Sequence, residues 1–538
     1  MSDLNDTITP DCNKTFKSKP VEQDQWKDKP VKSNYIKKRI NKQVKHIFAV
    51  LEDKHDKSSF DTVEKTILPL VFALGRLFLA YFFAWRNEHF SKHQSKDILK
   101  NCYKKGTPQS RTLGTYFGKV RYWRDYFRHK KGGGGVYALD IDLKLTTDKF
   151  STLVIGHAAR LATLVSFDRV TELLKSFLLW SPSKTTVEKS VLGLGRFTHQ
   201  WFQTAPAPEG DGEVLIIQID SKATPTATES ELDKRRGKRQ TNAYNGSARH
   251  RGREKRKQQG KKPRRKKGDK SKNGKAATLV VMYTLKRGVD NEGNPILEGP
   301  LNKKVHASYA CKRCAFAFAR READKRGFSE ESGEVVQIIT DGDNNFETYV
   351  NEYFPSAIHT LDIMHAMEYV WKAGRCLFQE GSKELAKWAE RMQELLYEGK
   401  AKQVVSELKE HLGEIPKQGP GNKAKRSGIE CAISYLEKRI HLMNYDTAIA
   451  QDLEIATGAV EGAVNHVIAT RFDKGGMRWI KERSEALLQL RCIELNGDWE
   501  EFMSFVQDMI FKRSVEEHRS QTLLTKQESP IPEIADYA

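Results

Sequence analysis

The chain has 538 residues, of which 38% are hydrophobic and 30% charged, and its formal net charge is +21. This length predicts two or three domains, and the composition excludes a fibrous or wholly disordered protein. The first twenty residues contain no apolar signal region, and an odd number of cysteines, seven, fits a reducing compartment. We therefore expect a cytoplasmic protein with no membrane partner.

The positive charge is concentrated in one internal tract. Residues 234–275 hold 20 of the 91 Lys and Arg residues but only two of the 70 acids, so the rest of the chain is nearly neutral. This tract has almost no apolar residue and cannot bury a core, which predicts a disordered arm. A solvated solubility tail is the alternative, but such a tail would normally lie at a terminus. We expect the arm to bind a polyanion through basic residues that include Arg235, Arg256, Arg264 and Arg265.

The N-terminal third is polar at first and then mainly helical. Residues 1–65 have mixed charge and favour a loose segment. The apolar run at 66–85, interrupted by a Gly-Arg pair, predicts a buried amphipathic helix rather than a membrane span. Residues 111–135 alternate bulky and polar side chains around Gly118, which is typical of a hairpin.

Two helical stretches on either side of Ser181 and Pro182 have the size and polarity of a helix-turn-helix. Ser183 is a suitable cap for the second helix, and Lys184 lies at the end that would enter DNA. A helical hairpin in a protein core is an equally good interpretation. On the first interpretation this region binds DNA.

From residue 212 onward the pattern changes to strands. Apolar runs at 213–220, 277–288 and 303–310 predict an antiparallel meander, with the basic arm between its first two strands. Two further apolar runs, at 334–341 and 356–362, alternate with helices. The order β-β-β-α-β-α-β-α predicts an α/β fold, a mixed sheet with helices on its faces.

A helical insertion interrupts this alternation. Residues 379–456 repeat apolar positions with a period of 3.6, apart from one Pro/Gly loop, and residues 457–472 predict a helix that returns to the sheet. The predicted segments are a loose N-terminal segment (1–65), a mainly helical N-terminal region (66–205), a first part of the core (212–378), an insertion (379–456), the last core helices (457–510) and a C-terminal tail (511–538).

Three acids are the candidates for chemistry. Asp220 and Asp341 each follow an apolar strand, where a carboxylate escapes burial only if the strand end opens into a cleft. If the two strands are neighbours, the carboxylates can share a divalent cation, and oxygen ligands favour Mg²⁺ or Mn²⁺ over zinc. Glu461, among small residues and without a basic partner four residues on, could complete a two-metal site. Alternatively it is an ordinary glutamate in the first turn after Thr457.

The stretch after the second strand also has the spacing of a calcium loop, with Asp341, Asp343, Asn345 and Glu352 at ligand positions. The calcium interpretation fails because Phe346 stands where the loop turn needs glycine, and because the stretch follows a strand rather than a helix. Asp341 is therefore interpreted as a catalytic carboxylate, with Asp343 as a minor candidate for supporting it.

A third strand end adds Asp362, and His365 and Glu368 follow in the next helix. His365 is expected near the scissile phosphate, or orienting a metal-bound carboxylate. A buried, hydrogen-bonded histidine is the alternative. Asp362 and Glu368 can also be explained as helix-start charges.

Four stretches resemble the motif blocks of DDE transposases of bacterial insertion sequences, most closely the Kra-type family: "IQIDSKATPT", "ITDGDNNF", "LDIMHAMEYVW" and "TGAVEGAVNHVIATRFDKGGMRW". The resemblance covers roughly residues 110–505. It implies a ribonuclease H-like core whose catalytic triad is Asp220, Asp341 and Glu461. An Asp-x-x-His element of the related Mutator-like group falls on Asp362 and His365, and the family's helical insertion falls on 379–456.

The resemblance implies Mg²⁺-dependent cleavage of transposon ends, followed by attack of the freed 3′-hydroxyl on target DNA. It implies double-stranded DNA as the partner, a homodimer or higher assembly, and a nucleoid-associated bacterial protein. Lys222, Arg471, Arg478 and the basic arm are expected to hold phosphates. Trp479 is expected to stack on a splayed base, with a core aromatic as the alternative.

Two departures and two alternatives remain. Relatives often carry a cysteine-containing zinc element before the helix-turn-helix region; "YFRHKKGGGG" stands in its place here without cysteine, so we expect no zinc. The residues after Asp341 are also more polar than usual. The alternatives are a ribonuclease H-like DNA nuclease without strand transfer and a non-catalytic DNA-binding protein derived from a transposase. The presence of all three acids disfavours the second.

Overall fold

The computed structural model describes residues 29–52, 59–89, 103–130, 135–145, 148–228, 274–293, 295–473 and 479–520. The helices are α1 (Ser33–Leu51), α2 (Phe60–His89), α3 (Ala138–Asp142), α4 (Thr152–Leu164), α5 (Phe167–Leu178), α6 (Lys184–Gly195), α7 (Thr198–Thr204), α8 (Lys312–Lys325), α9 (Asn344–Tyr353), α10 (Ile363–Leu377), α11 (Lys383–Tyr397), α12 (Ala401–Glu414), α13 (Asn422–Glu437), α14 (Tyr445–Ala450), α15 (Gly458–Ala463), α16 (Lys481–Leu495) and α17 (Trp499–Ser520). The strands are β1 (Tyr103–Lys105), β2 (Gln109–Thr115), β3 (Gly118–Arg124), β4 (Tyr126–His129), β5 (Gly135–Tyr137), β6 (Val214–Pro225), β7 (Gly274–Val289), β8 (Pro295–Ser308), β9 (Val335–Thr340) and β10 (Ile358–Leu361).

The chain divides into two compact units. The first consists of Met1–Ala158, Phe167–Val187 and Met503–Glu528, and the second of Ala159–Ser166, Glu188–Phe502 and Ser529–Ala538. The three candidate catalytic acids all lie in the second unit.

In the first unit, the prediction of a loose segment over residues 1–65 is wrong in part, because helix α1 lies within it. Ile36 and Ile40 are buried because they are four residues apart and face the same side of this helix. They pack in one cluster with Leu77 and with Val120 of the hairpin. The helix was not predicted because the composition of the segment is mostly polar.

Helix α2 contains the long apolar run, and it is long and apolar enough to cross a membrane by length and composition. One face is buried, with Leu77 and Phe83 in the core cluster, as predicted. The other face exposes Phe78 and Phe82, which are 50% and 43% accessible. The core helix of a soluble protein can have the same length and composition.

The remaining predictions for the N-terminal region are mostly confirmed. Strands β2 and β3 form the expected antiparallel hairpin, and Gly118 takes a positive φ of 116° at its turn. Helices α5 and α6 occupy the two stretches on either side of Pro182. Ser183 accepts a hydrogen bond from the backbone N–H of Thr186 at 3.3 Å, which confirms the predicted cap. A role of this pair in DNA binding stays a prediction. The C-terminal tail differs from expectation, because α17 continues to Ser520.

The second unit is built on a mixed five-stranded sheet in the order β10-β9-β6-β7-β8. Strands β6, β7 and β8 form the predicted antiparallel meander, and β9 and β10 run parallel to β6. This α/β architecture is compatible with the ribonuclease H-like core that the resemblance implies. Except for its last two residues, which begin β7, the basic arm lies outside the described residues.

Helices cover both faces of this sheet, which explains why its central strands are continuously apolar. Leu215, Ile217 and Ile219 of β6 are fully buried and pack in one cluster with Phe316 of α8 and Phe346 of α9. The intervening residues of β6 face the other side, where α15 contacts the strand.

The predicted all-helical insertion is confirmed as α11–α14. Its core joins the insertion to α10: Val370 lies in the same buried cluster as Met392, Leu408 and Leu436. The return from the insertion differs from the single helix predicted over 457–472, because α15 is followed by a π-helix, Val464–Asp473. Such wide turns are rare within α-helices and frequently occur at functional sites.

Candidate active site

The parallel pairing of β6 with β9 brings the two predicted aspartates together. Ile219 of β6 pairs with Thr340 of β9. Asp220 is the next residue of β6 and Asp341 is the first residue after β9, so they lie side by side at the end of the sheet where α/β proteins bind ligands. Both side chains are partly exposed. The strands that carry the two acids are therefore neighbours, which was the condition for a shared cation. The prediction that the first strand ends at Asp220 is wrong, because β6 continues its pairing with β7 as far as Pro225.

Electrostatic coupling shows which groups surround Asp220. Burial raises the pKa of Asp220, the backbone N–H of Ser221 opposes this shift, and the negative charges of Asp341 and Glu461 raise the pKa further. The nearby His365 lowers it. All three predicted catalytic acids and the predicted histidine are thus near enough to influence one carboxylate.

Two buried glutamines bring Glu461 to the strand ends. The side chain of Gln218, fully buried in β6, accepts a hydrogen bond from the N–H of Val460 in α15 at 2.9 Å. Gln337 in β9 both donates to the carbonyl of Glu454 at 2.6 Å and accepts from its N–H at 3.1 Å. The chain returning from the insertion is therefore tied to the sheet, and Glu461 follows one residue after the tied position.

Asp362, which follows β10, holds the rest of the site. It is completely buried, and its carboxylate accepts hydrogen bonds from the N–H of Met364 at 3.0 Å, from the hydroxyl of Thr457 at 2.5 Å and from the N–H of Thr457 at 3.3 Å. Nδ1 of His365 lies 2.7 Å from it. Asp362 is thus the helix-start charge that the alternative interpretation described, and it also orients His365 and the residue before α15.

The pairing sets the charge of His365. Its hydrogen bond to Asp362 raises the pKa of His365 to about 9, although burial acts in the opposite direction, and the charges of Asp341 and Glu368 add to the rise. Burial alone would raise the pKa of Asp362, but the hydrogen bonds from His365 and Thr457 bring it below its ordinary value. At neutral pH the site therefore contains a buried carboxylate and an imidazolium.

This shift predicts a pH dependence of stability. Because the folded pKa of His365 is raised from 6.5 to about 9, its contribution is complete below pH 6.5 and is lost as pH rises towards 9. The wild type should be more stable to unfolding than His365→Asn, and this difference in unfolding free energy should fall by ~2–3 kcal/mol between pH 6 and pH 9.5. Urea unfolding at each pH measures this difference. A difference that stays constant over that range would contradict the raised pKa of His365 beside Asp362.

The loop after Asp341 is a turn and not a calcium loop. Asp341 accepts a hydrogen bond from the N–H of Asp343 at 3.0 Å, and Asp343 caps α9 by accepting from the N–H of Asn345. Asp343 also pairs with Lys312 of α8 at 2.5 Å, and Glu352 pairs with an arginine of α8. Asp343 thus supports Asp341 through the backbone of the turn.

The donor atoms present fit a hard cation. In the described part of the chain, no three His, Cys, Asp or Glu side chains lie close enough together to form a ready metal site. Asp220 and Asp341 offer only oxygen atoms, which suit Mg²⁺ or Mn²⁺, and a cation would relieve the repulsion on Asp220. Glu461 is exposed, so its side chain can change rotamer without disturbing the core. The assembly of the three acids around a metal stays a prediction.

The structure corrects two of the predicted DNA contacts. Arg471 is 2% exposed, and its Nε donates to the carbonyl of Ala162 at 3.0 Å. Its guanidinium carbon lies 4.7 Å from the ring centroid of Trp479, which is itself 8% exposed. The DNA contacts predicted for these two residues are wrong in this conformation, because neither reaches the surface, and the core interpretation of Trp479 is confirmed.

Two of the other predicted DNA contacts, Lys222 and Lys184, lie among the described residues. Lys222 is partly exposed and lies two residues after Asp220 in β6, so both side chains are on one face of the sheet. Lys184 is exposed at the start of α6 and pairs with Asp168 at 2.5 Å. The remaining predicted contacts lie outside the described residues: Arg235, Arg256, Arg264, Arg265 and Arg478.

A comparison of two variants tests this reassignment. Lys222→Ala should weaken binding to duplex DNA. It should also make the negative slope of log affinity against log salt shallower by ~0.9, the value for one lost phosphate contact. Arg471→Ala should leave that slope unchanged and lower the unfolding free energy by ~2–3 kcal/mol, since it leaves a buried carbonyl unpaired. Fluorescence anisotropy from 50 to 200 mM salt and urea unfolding measure the two effects. A reduced salt slope in Arg471→Ala would contradict the correction.

Sequence reasoning missed the residues that position the acids. Gln218 and Gln337 had a usable signal, since each is a polar amide inside a continuous apolar strand. Tyr435 and Arg439, which bond to the turn after Asp341, have no local signal. They belong to the insertion, about 95 residues further along the chain.

Comparisons with known proteins add little to this geometry. No protein-family profile matches the chain, and no curated protein matches it. Among solved structures, the chain is similar to the Drosophila P element transposase strand transfer complex, with 11% sequence identity over 73% of this chain and 91% of that chain, and a TM-score of 0.20. A TM-score this low supports no argument about fold or function.

Proposed function

We propose that this protein is a transposase that cleaves the ends of an insertion sequence and joins them to target DNA. The observation that carries the proposal is the side-by-side placement of Asp220 and Asp341, each directly after the paired residues Ile219 of β6 and Thr340 of β9, with Glu461 acting electrostatically on Asp220. The sequence resemblance assigns the catalytic triad to the same three residues. The proposed core is ribonuclease H-like, with which the strand order is compatible.

Asp220, Asp341 and Glu461 would hold the Mg²⁺ or Mn²⁺ ions that this chemistry requires. When bound, such ions make water a stronger nucleophile and stabilise the leaving oxygen of a phosphodiester. Lys222, on the same face of the sheet as Asp220, would bind a DNA phosphate. The chain's own contribution is to hold a cluster of negative charge where the scissile phosphate arrives.

His365 would supply a positive charge at this site. Asp362 holds Nδ1 of His365, so Nε2 is the atom that can donate to the substrate. With a pKa of about 9, His365 is an imidazolium at neutral pH. It can neutralise charge on the phosphodiester oxygens or protonate the departing 3′-oxygen.

Double-stranded DNA is the proposed partner, both as transposon ends and as target. Two ends must be held together before joining, so the proposed active form is a homodimer or a higher assembly. The proposed location is the bacterial cytoplasm, in association with the nucleoid. The basic arm at 234–275 would add phosphate contacts that do not depend on sequence.

The test is a reaction of the purified chain with MgCl₂, a labelled duplex carrying the DNA that flanks this reading frame, and a plasmid target. Cleavage at the ends and transfer of label to the plasmid are expected, and sequenced junctions should show short target duplications. Cleavage without joining would indicate a nuclease. Binding without cleavage in either Mg²⁺ or Mn²⁺ would indicate a non-catalytic DNA-binding protein. Either outcome would overturn the proposal.

A further inference from the structure

The turn that carries Asp341 is gripped by the helical insertion. Tyr435, near the end of α13, donates its hydroxyl to the carbonyl of Asp341 at 2.7 Å. Arg439, two residues past the end of that helix, donates Nε to the carbonyl of Gly342 at 2.7 Å. Both acceptors belong to the two peptide groups that follow the candidate catalytic aspartate.

The contacts with Tyr435 and Arg439 leave no room for a side chain at Gly342. Gly342 has a positive φ of 74°, and a Cβ built on it would lie 2.7 Å from Nε of Arg439 and 2.8 Å from the hydroxyl of Tyr435. The same atom would lie 2.7 Å from Leu361 of β10. Glycine is therefore required here both by its backbone conformation and by the close approach of the insertion.

The two gripping side chains are themselves held. The ring of Tyr435 stacks on that of Tyr369 of α10, with centroids 3.7 Å apart and planes 7° apart. The guanidinium carbon of Arg439 lies 4.1 Å from the Tyr435 ring centroid, and its Nη1 donates to the Tyr435 carbonyl at 2.8 Å. Burial raises the pKa of Tyr435, so its hydroxyl stays a donor throughout the working pH range.

The geometry connects this grip to the carboxylate. The Gly342 carbonyl that Arg439 binds belongs to the peptide group whose N–H, on Asp343, donates to the side chain of Asp341 at 3.0 Å. The Asp341 carbonyl that Tyr435 binds belongs to the preceding peptide group. Orienting both peptide planes orients the carboxylate and its hydrogen-bond donor together.

We infer that Tyr435 and Arg439 are positioning residues for Asp341, and that the helical insertion sets the metal-binding geometry of the site through them. The inference deepens the proposed function and depends on it. It gives the insertion a role within the catalytic unit besides any contact with DNA. Outer partners of metal ligands commonly change affinity by roughly 10–100-fold when removed.

The test measures Mn²⁺ binding directly, by electron paramagnetic resonance, in wild type and in Tyr435→Phe and Arg439→Lys. Tyr435→Phe should raise the Mn²⁺ dissociation constant about tenfold. Arg439→Lys, which keeps one donor, should have a smaller effect. The matched control is Tyr445→Phe, because Tyr445 is another insertion tyrosine whose hydroxyl donates to a strand-end carbonyl, that of Leu361, at 2.9 Å.

Three results separate the possible failures. If wild type binds Mn²⁺ no better than Asp341→Asn does, the proposed metal site itself is wrong. If wild type binds through Asp341 but Tyr435→Phe binds equally well, the positioning role alone is overturned. If Tyr435→Phe and Tyr445→Phe weaken binding equally, with equal loss of thermal stability, the effect is a general loosening and the positioning role is also overturned.

Discussion

Asp341→Asn should abolish Mg²⁺-dependent strand transfer while leaving duplex DNA affinity unchanged. Loss of a metal-binding carboxylate removes several kcal/mol of transition-state stabilisation, on the order of a thousandfold in rate. The fold should be retained, because the amide oxygen of asparagine can still accept the hydrogen bond from the N–H of Asp343. Single-turnover assays of end cleavage and joining measure the rate, and fluorescence anisotropy measures the affinity.

Two further variants make this result specific. Asp220→Asn should cause a similar loss, because Asp220 lies beside Asp341. The residues that precede the two acids, Ile219 and Thr340, are paired in the sheet. Glu368→Gln is the matched control, because Glu368 is an exposed acid of α10 that also acts on His365 but is not a proposed ligand. It should retain activity within a few-fold of wild type. If either aspartate variant keeps strand transfer at the wild-type rate, the triad assignment is wrong.

Asp362→Ala should lower the free energy of unfolding by ~3–5 kcal/mol. The carboxylate is completely buried and accepts hydrogen bonds from Met364 and from both the N–H and the hydroxyl of Thr457, and it pairs with His365. Alanine leaves these donors and the imidazolium without their acceptor inside the protein. Urea unfolding at pH 7, followed by circular dichroism, measures the loss.

Asp343→Ala provides the comparison for this prediction. Asp343 also caps a helix, α9, and also carries an ion pair, with Lys312, but its side chain is 31% exposed. Water can therefore replace the lost acceptor, and a loss of ~1 kcal/mol is expected, the usual value for a helix cap. Equal losses of unfolding free energy in the two variants would show that the contribution of Asp362 to stability does not depend on its burial.

The strands and helices of the second unit were predictable because their signals are local. The apolar runs that end in Asp220 and Asp341 predicted two strands with carboxylates at their ends. Both strands are present, although β6 continues past Asp220 to Pro225. The periodicity of residues 379–456 predicted an all-helical insertion, which α11–α14 confirm. Each of these patterns depends on side chains within about ten residues of one another. Helix α1 was missed because its apolar stripe is narrow and its surroundings are highly charged.

Side-chain environments were less predictable than elements. Arg471 and Trp479 had the residue types of a DNA contact, and both are buried against each other. A guanidinium near a glycine-rich stretch gives the same local pattern whether it binds a phosphate or a backbone carbonyl. The carbonyl that Arg471 binds belongs to Ala162, more than 300 residues earlier, so only the packing of the unit decided its role.

The sequence by itself determined the identities of the candidate acids and the elements that carry them. The tertiary structure decided which of them meet and what holds them. Gln218 ties the helix of Glu461 to β6 across 242 positions of sequence, and Tyr435 grips the turn of Asp341 across 94 positions. Local periodicity reports only which face of an element is buried, whereas these contacts arise from the packing of distant elements against one another.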